Sequence, residues 1–212
     1  MPGFHQSEVK MHISSTALAD TQCTIDSYEG DADDYCRIVD PFPAPGLEAA
    51  LQQLAIAAGK GGRVLEIGSG PGWDADFLET QGVLVRRTDA TRRFLELQAA
   101  RGKQGELLNV ITGNLGGPYD AVIALCVLIH VPRDQTGHVL EKIAAALRPG
   151  GVFLVTMRDG DGETSGAYHM TYWRRDEFAL RLMAAGLDLE WDSYRMSRNN
   201  EAWHTFYTRR PG

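Results

Sequence analysis

Hydrophobic positions along the chain change period several times, and each change predicts an element. After Pro45, the residues Leu47, Leu51, Leu54, Ala55 and Ala58 recur at helical spacing and meet a stop at Gly59, Gly61 and Gly62. The short apolar run 63–67 predicts a strand, 68–72 a glycine turn, and 74–80 a helix closed by Gly82. The same alternation repeats: a strand over 83–87, a helix capped by Thr91 and stopped at Gly102, and a third strand over 107–112. Residues 119–128 are apolar almost throughout, as expected of a central strand covered on both faces. A helix from about Asp134, broken at Arg148-Pro-Gly-Gly151, leads into a strand over 152–157. A last helix over about 176–185 precedes two strand-like stretches, 187–196 and 202–209, joined by Ser197-Arg-Asn-Asn200. Strands alternating with helices imply an α/β domain with a mostly parallel sheet, and the final pair implies an antiparallel edge. Residues 1–20 show no period and predict no element.

Length and composition narrow the function. At 212 residues, close to the ~150 typical of a domain, the chain has room for one domain and decorations. Lys plus Arg number 21 against 28 Asp plus Glu, a net charge of -7, so nothing draws the chain broadly to nucleic acid or to an anionic membrane. Cys23, Cys36 and Cys126 are odd in number and widely spaced, which fits a reducing, cytoplasmic setting and no zinc site. The acidic turn Asp159-Gly-Asp-Gly-Glu163 lacks the ligand set of a calcium loop and reads as a solvated turn, so no metal is expected. Arg86, Arg87, Arg92 and Arg93 read as a solvated rim paired with nearby carboxylates.

Candidate chemistry concentrates in Val64-Leu-Glu-Ile-Gly-Ser-Gly-Pro-Gly72. Glycines where a buried strand turns into a helix allow a tight turn and close approach of a ligand, and the helix start offers free N–H groups to an anionic moiety. Asp89, at the end of the next strand, is placed to accept both hydroxyls of a ribose or else to cap the following helix.

This segment resembles the first motif of the class I S-adenosylmethionine-dependent methyltransferases of small-molecule type. Thr88-Asp89-Ala-Thr91 is similar to their second, acidic motif, Tyr119-Asp-Ala-Val-Ile-Ala-Leu-Cys-Val-Leu-Ile-His-Val-Pro132 to their fourth-strand motif, and Ala146-Leu-Arg-Pro-Gly-Gly-Val-Phe153 to the approach to their fifth strand. The resemblance runs from about Ser27 to the C-terminus, dividing the chain into a tail or flap over 1–26 and a methyltransferase domain over 27–212. It implies a Rossmann-like, seven-stranded, mostly parallel sheet with helices on both faces and an antiparallel C-terminal edge pair. The implied cofactor is S-adenosylmethionine, leaving as S-adenosylhomocysteine. By the same resemblance Gly68, Ser69, Gly70 and Gly72 approach its methionine part, Glu66 helps hold the amino group, Asp89 holds the ribose and Ala90 borders the adenine. Where such enzymes often carry an aspartate after the third strand, this chain offers Asn114 with Leu115; its amide oxygen can accept the same hydrogen bond. Leu125, within the fourth-strand motif, is a further implied cofactor contact.

Methyl transfer from a sulfonium requires alignment and at most one proton removal, so little dedicated machinery is needed. His130, beyond the fourth strand, is the candidate general base, or else a packing or loop-anchoring residue. Tyr28 and Tyr35, seven apart and on one helical face, resemble the tyrosine-bearing lead helix over the cofactor; the other reading is a stripe that packs. Arg158, His169, Tyr172 and Trp173 surround the loop after the fifth strand and either wall an acceptor pocket or plug the following helix. The acceptor expected is a small molecule or short peptide methylated on oxygen or nitrogen. The alternatives are a non-catalytic cofactor-binding module and an NAD(P)-dependent oxidoreductase, the second opposed by the G-x-G-x-G spacing and by the absence of a Tyr-x-x-x-Lys pair.

Overall fold

A computed structural model describes residues 13–44 and 46–212. Its centre is a seven-stranded sheet of order β3-β2-β1-β4-β5-β9-β8. The strands are β1 (Arg63–Ile67), β2 (Leu84–Asp89), β3 (Gly105–Leu107), β4 (Tyr119–Ala124), β5 (Leu147–Arg158), β8 (Asp188–Met196) and β9 (Ala202–Arg209). β3 through β5 pair in parallel, while β9 runs antiparallel to β5 and β8 antiparallel to β9. This is the expected class: a mostly parallel Rossmann-like sheet with the final hairpin at one edge. A short ribbon, β6 (Glu163–Thr164) with β7 (Met170–Thr171), lies outside the sheet and was not foreseen.

Side chains alternate across β5, so Val152 and Leu154 enter one core and Phe153, Val155 and Met157 the other. The first core is built with Leu51, Leu54 and Ala58 of α2 (Glu48–Ala58) and Leu78 of α3 (Trp73–Thr80). The second uses Val139, Leu140 and Ile143 of α5 (Arg133–Ala146) and Phe178 and Leu182 of α6 (Arg175–Ala184). α4 (Arg92–Ala100) packs beside β2 and β3.

Three expectations are corrected. Residues 15–38 form one continuous helix, α1 (Ser15–Ile38), so the division at residue 26 falls inside it; residues 1–12 of the expected tail lie outside the described residues. Ser14 caps α1 by accepting the Ala17 amide, and its buried face is Ala17, Thr24 and Ala32, too small and polar to register as hydrophobic period. β3 ends at Leu107 rather than 112, because pairing with β2 stops at Asp89 and the Asn109 side chain accepts the Ile111 amide, turning the chain. β4 stops at Ala124, and Cys126 takes a left-handed φ of 58° with its amide bonded to Thr156 Oγ1. Residues Leu128–His130 then form a short 3-10 turn.

Candidate functional site

The sheet reverses direction of winding between β1 and β4, and a crevice opens at the carboxyl ends of the strands there, where open α/β sheets bind ligands. Its floor is the glycine turn. Gly68 has φ 66°, and a Cβ on it would overlap the side chain of Val127, so only glycine lets β1 and the end of β4 approach this closely. Gly70 faces the cavity with open space above it. Behind the turn, Arg87 is buried and joins the Gly72 carbonyl (3.1 Å) to Asp76 (2.7 Å) and Glu79 (2.7 Å), which fixes α3 against β2. Arg87 is therefore an interior strut and not part of a solvated rim; Arg86 and Arg93 do pair with carboxylates, Glu106 and Asp33 respectively.

Three acids surround this floor. Asp89 Oδ2 accepts the Gly70 amide at 2.7 Å and Oδ1 the Thr91 amide at 2.8 Å, so the carboxylate clamps the turn and the start of α4 together. Each oxygen keeps a second lone pair, and Asp89 lines the cavity. Glu66 lies behind the turn, with Oε2 buried and unpartnered; desolvation, reinforced by Asp74, pushes its pKa well up. Burial also raises Asp74 to about 6.

α1 is the roof. Glu29 accepts the amides of Arg92 (2.7 Å) and Arg93 (3.0 Å) at the start of α4, and Asp33 pairs with the Arg93 guanidinium at 2.7 Å. Farther along, Ser27 donates to the Ala167 carbonyl (2.6 Å) and Thr24 Oγ1 accepts the His169 amide (2.9 Å). Beneath this roof Tyr28 touches Tyr35, Phe94, His130 and Tyr168 edge-on or tilted, with ring centroids 4.7–6.0 Å apart. His130 Nδ1 lies 2.7 Å from the His169 carbonyl and Nε2 lies 3.0 Å from the Tyr28 hydroxyl. A carbonyl can only accept, so we assign the proton to Nδ1, which leaves the Nε2 lone pair to accept the Tyr28 O–H. Desolvation lowers the His130 pKa and raises that of Tyr28, so both are neutral at pH 7.

Gly68, Gly70, Asp89, Ala90, Leu125, Tyr28, Tyr35 and His130 share this one cavity, but other expected residues do not. Asn114 is exposed and accepts the Gly116 amide, and Leu115 is buried in the core; the early end of β3 puts Asn109 and Val110 on the cavity in their place. Ser69 and Gly72 are buried in the turn itself. Trp173 is 2% exposed, packed against Phe178 and under the Arg133 guanidinium, so it is a core plug. The His169 ring is also buried, against Asp20, Glu163 and Thr171; its backbone, not its side chain, reaches the site. Arg158 and Tyr172 sit beside each other beyond the cavity lining, with Arg158 paired to Glu201 at 2.9 Å. Sequence reasoning missed Thr21, Thr24, Ile25, Phe94, Asn109 and Cys126. Residues 21, 25 and 28 recur at helical spacing, a signal visible only once that segment is taken as helical.

A family model for a methyltransferase domain matches residues 42–210. The chain belongs to the methyltransferase-domain family. As a methyltransferase it is 28% identical over 133 residues to a protein-L-isoaspartate O-methyltransferase of Alcanivorax borkumensis, a match covering 55% of this chain and 59% of that protein. The match thus spans about three fifths of the curated relative's length. Among solved structures, the 1,6-didemethyltoxoflavin-N1-methyltransferase of Burkholderia thailandensis, with bound S-adenosylhomocysteine, superposes with a TM-score of 0.73 at 19% identity, covering 100% of this chain and 99% of that one. The N-methyltransferase NodS of Bradyrhizobium japonicum, also with S-adenosylhomocysteine, gives 0.71 at 17% identity, covering 89% and 99%. The fold is the one these two S-adenosylhomocysteine-bound methyltransferases share. Among the described residues, no helix is long and apolar enough to cross a membrane and no group of acidic, His and Cys side chains suits a metal ion.

Proposed function

We propose that this methyltransferase acts on an oxygen or nitrogen of a small molecule, and that Tyr28 and His130 take up the proton the acceptor loses. The observation that carries this reading is the hydrogen-bonded row from Tyr28 through His130 to the His169 carbonyl, set in the same cavity as the glycine turn. The residues fit the cofactor. Gly70 leaves room at the turn, Asp89 offers acceptors for ribose hydroxyls, and Ala90 and Val110 offer small apolar surfaces for an adenine beside the Asn109 amide. The buried, unpartnered Glu66 oxygen is a hydrogen-bond partner behind the turn for an ammonium, whose positive charge would favour the ionised carboxylate that burial alone disfavours.

S-adenosylmethionine supplies a methyl on positively charged sulfur. The chain aligns the acceptor and receives its proton: Tyr28 Oη accepts from the acceptor while passing its own proton to His130 Nε2, and Nδ1–H stays on the His169 carbonyl. A neutral imidazole is the competent form, and burial keeps His130 neutral. The family membership leaves the oxidoreductase alternative without support.

Calorimetric titration with S-adenosylhomocysteine, followed by release of S-adenosylhomocysteine across a panel of phenols, N-heteroaromatics and amines, tests the reading. Binding of the cofactor product is expected in all forms, with turnover of at least one small acceptor that falls sharply in Tyr28→Phe and His130→Gln. Binding without turnover of any acceptor would leave a cofactor-binding module.

A further inference from the structure

Outside the cavity lining, a row of three side chains crosses the antiparallel edge of the sheet. Arg158 of β5 pairs in register with Trp203 of β9, and Trp203 with Arg195 of β8. Both guanidiniums lie over the indole, at 5.2 Å for Arg158 and 5.5 Å for Arg195. Their charges differ in availability. Arg158 is neutralised by Glu201 at 2.9 Å, whereas Arg195 has no carboxylate partner among the described residues, and its Nε is buried without a hydrogen bond. A half-buried, unpaired arginine is unusual on a chain of net charge -7, where spare carboxylates are plentiful. Its position ties it to the site: Arg158 follows Thr156 on the same face of β5, and Thr156 Oγ1 accepts the amide of Cys126, which lines the cavity.

We propose that Arg195, set over the Trp203 ring, binds a carboxylate on the methyl acceptor, so that the acceptor spans from Tyr28 to the β8–β9 edge. The planar guanidinium fork matches a carboxylate and stacks on an aromatic face as a lysine would not. With Arg158 already matched by Glu201, the row carries one spare positive charge, which suits a monoanion better than a phosphate dianion. The reacting end remains in surroundings without a lysine or arginine, so the charged group and the methylated atom sit at opposite ends of the molecule. This inference rests on the methyltransferase reading for its acceptor, but the arginine subsite is testable by binding alone.

The chain has four tryptophans, so 15N-indole spectra of the S-adenosylhomocysteine-loaded protein are simple, and Trp203→Phe assigns the reporter. Titration with benzoate should shift the Trp203 signal saturably, with an affinity about tenfold or more above that for benzamide, the scale of a charge-assisted pair. Arg195→Met should remove that preference, Arg195→Lys should keep part of it, and Glu201→Gln, by freeing Arg158, should strengthen benzoate binding. Equal binding of benzoate and benzamide, no Trp203 shift with benzoate, or unchanged benzoate affinity in Arg195→Met would each overturn the proposal. Tighter binding of inorganic phosphate than of benzoate would overturn the carboxylate assignment. If Arg195→Met fails to fold, the benzoate–benzamide comparison and Glu201→Gln decide. A separate calorimetric titration with S-adenosylhomocysteine keeps the two readings apart: no heat there sinks the methyltransferase proposal, while the benzoate comparison, repeated on unloaded protein, still judges Arg195.

Discussion

The Nε2 atom of His130 faces the hydroxyl of Tyr28 at 3.0 Å across the join between α1 and the end of β4, so the two halves of the proposed proton path come from segments 102 residues apart. Tyr28→Phe removes the hydroxyl and keeps the ring packing against Phe94 and Tyr168. We expect turnover to fall by roughly 10²-fold or more, within the range of general acid–base contributions, with S-adenosylhomocysteine affinity unchanged. Parallel steady-state kinetics and calorimetry check this; equal losses in both would make Tyr28 a cofactor contact instead.

Burial lowers the His130 pKa below its ordinary 6.5, so the unfolded chain binds the extra proton more readily than the folded one. The contribution is fully present above the unfolded pKa and is lost as pH falls through it toward the folded value. His130→Gln should therefore flatten part of the stability loss below about pH 6.5. Urea unfolding from pH 5 to 8 measures it; superimposable pH slopes for the two proteins would contradict the assignment.

Asp74 has the opposite sign. Its carboxyl is raised to about 6, so the folded state binds more protons than the unfolded state below that value, and the ionised form is destabilising at pH 7. Asp74→Asn should raise stability at pH 7 by about 1–3 kcal/mol, and the gain should shrink as pH falls toward 4. Thermal unfolding at both pH values decides the matter.

Asp89→Asn keeps the side-chain size but removes the charge and replaces one of the two acceptors for the Gly70 and Thr91 amides with a donor. Affinity for S-adenosylhomocysteine should drop by about 1–3 kcal/mol. Wild-type affinity in this variant would rule out the ribose assignment.

Gly68→Ala should cost about 1–2 kcal/mol from the left-handed backbone alone, with the overlap on Val127 adding to it. Shortening the neighbour in Gly68→Ala/Val127→Ala removes the closest overlap, with the Cγ atoms, and leaves the backbone cost together with the contact on the residue 127 Cβ at 2.7 Å. Denaturant titrations of the singles and the double separate the two contributions, and strict additivity would argue against the contact.

How much of this was legible before the fold was seen depends on what each feature rests on. The glycine turn and the acid at the end of β2 stand out because local backbone geometry dictates residue type at Gly68 and because Asp89 lies where the strand begun by Leu84 and Val85 gives way to the next helix. Only the Tyr28–Tyr35 stretch of α1 was legible as a helix: the rest of its inward face is Ala17, Thr24 and Ala32, and hydrogen bonds and ion pairs join the two tyrosines in holding it to the domain. Asn109 was passed over in favour of Asn114 because strand length in a sheet is set by the partner strand, here by where β2 ends. Trp173 and His169 illustrate a third limit. Aromatic residues around a functional loop look alike in sequence whether they face a ligand or the core, and only packing separates them.

α1 has 24 residues, so it is a rod of ~36 Å, and it rests on the chain at two separated places. Glu29 and Asp33 seat it on α4, beside the end that suits the cofactor, while Thr24 and Ser27 seat it on the 167–169 segment that positions His130. A stiff rod with two seats cannot rise from one without loading the other. The roof over the glycine turn and the roof over His130 are therefore one rigid body, held by both seats together.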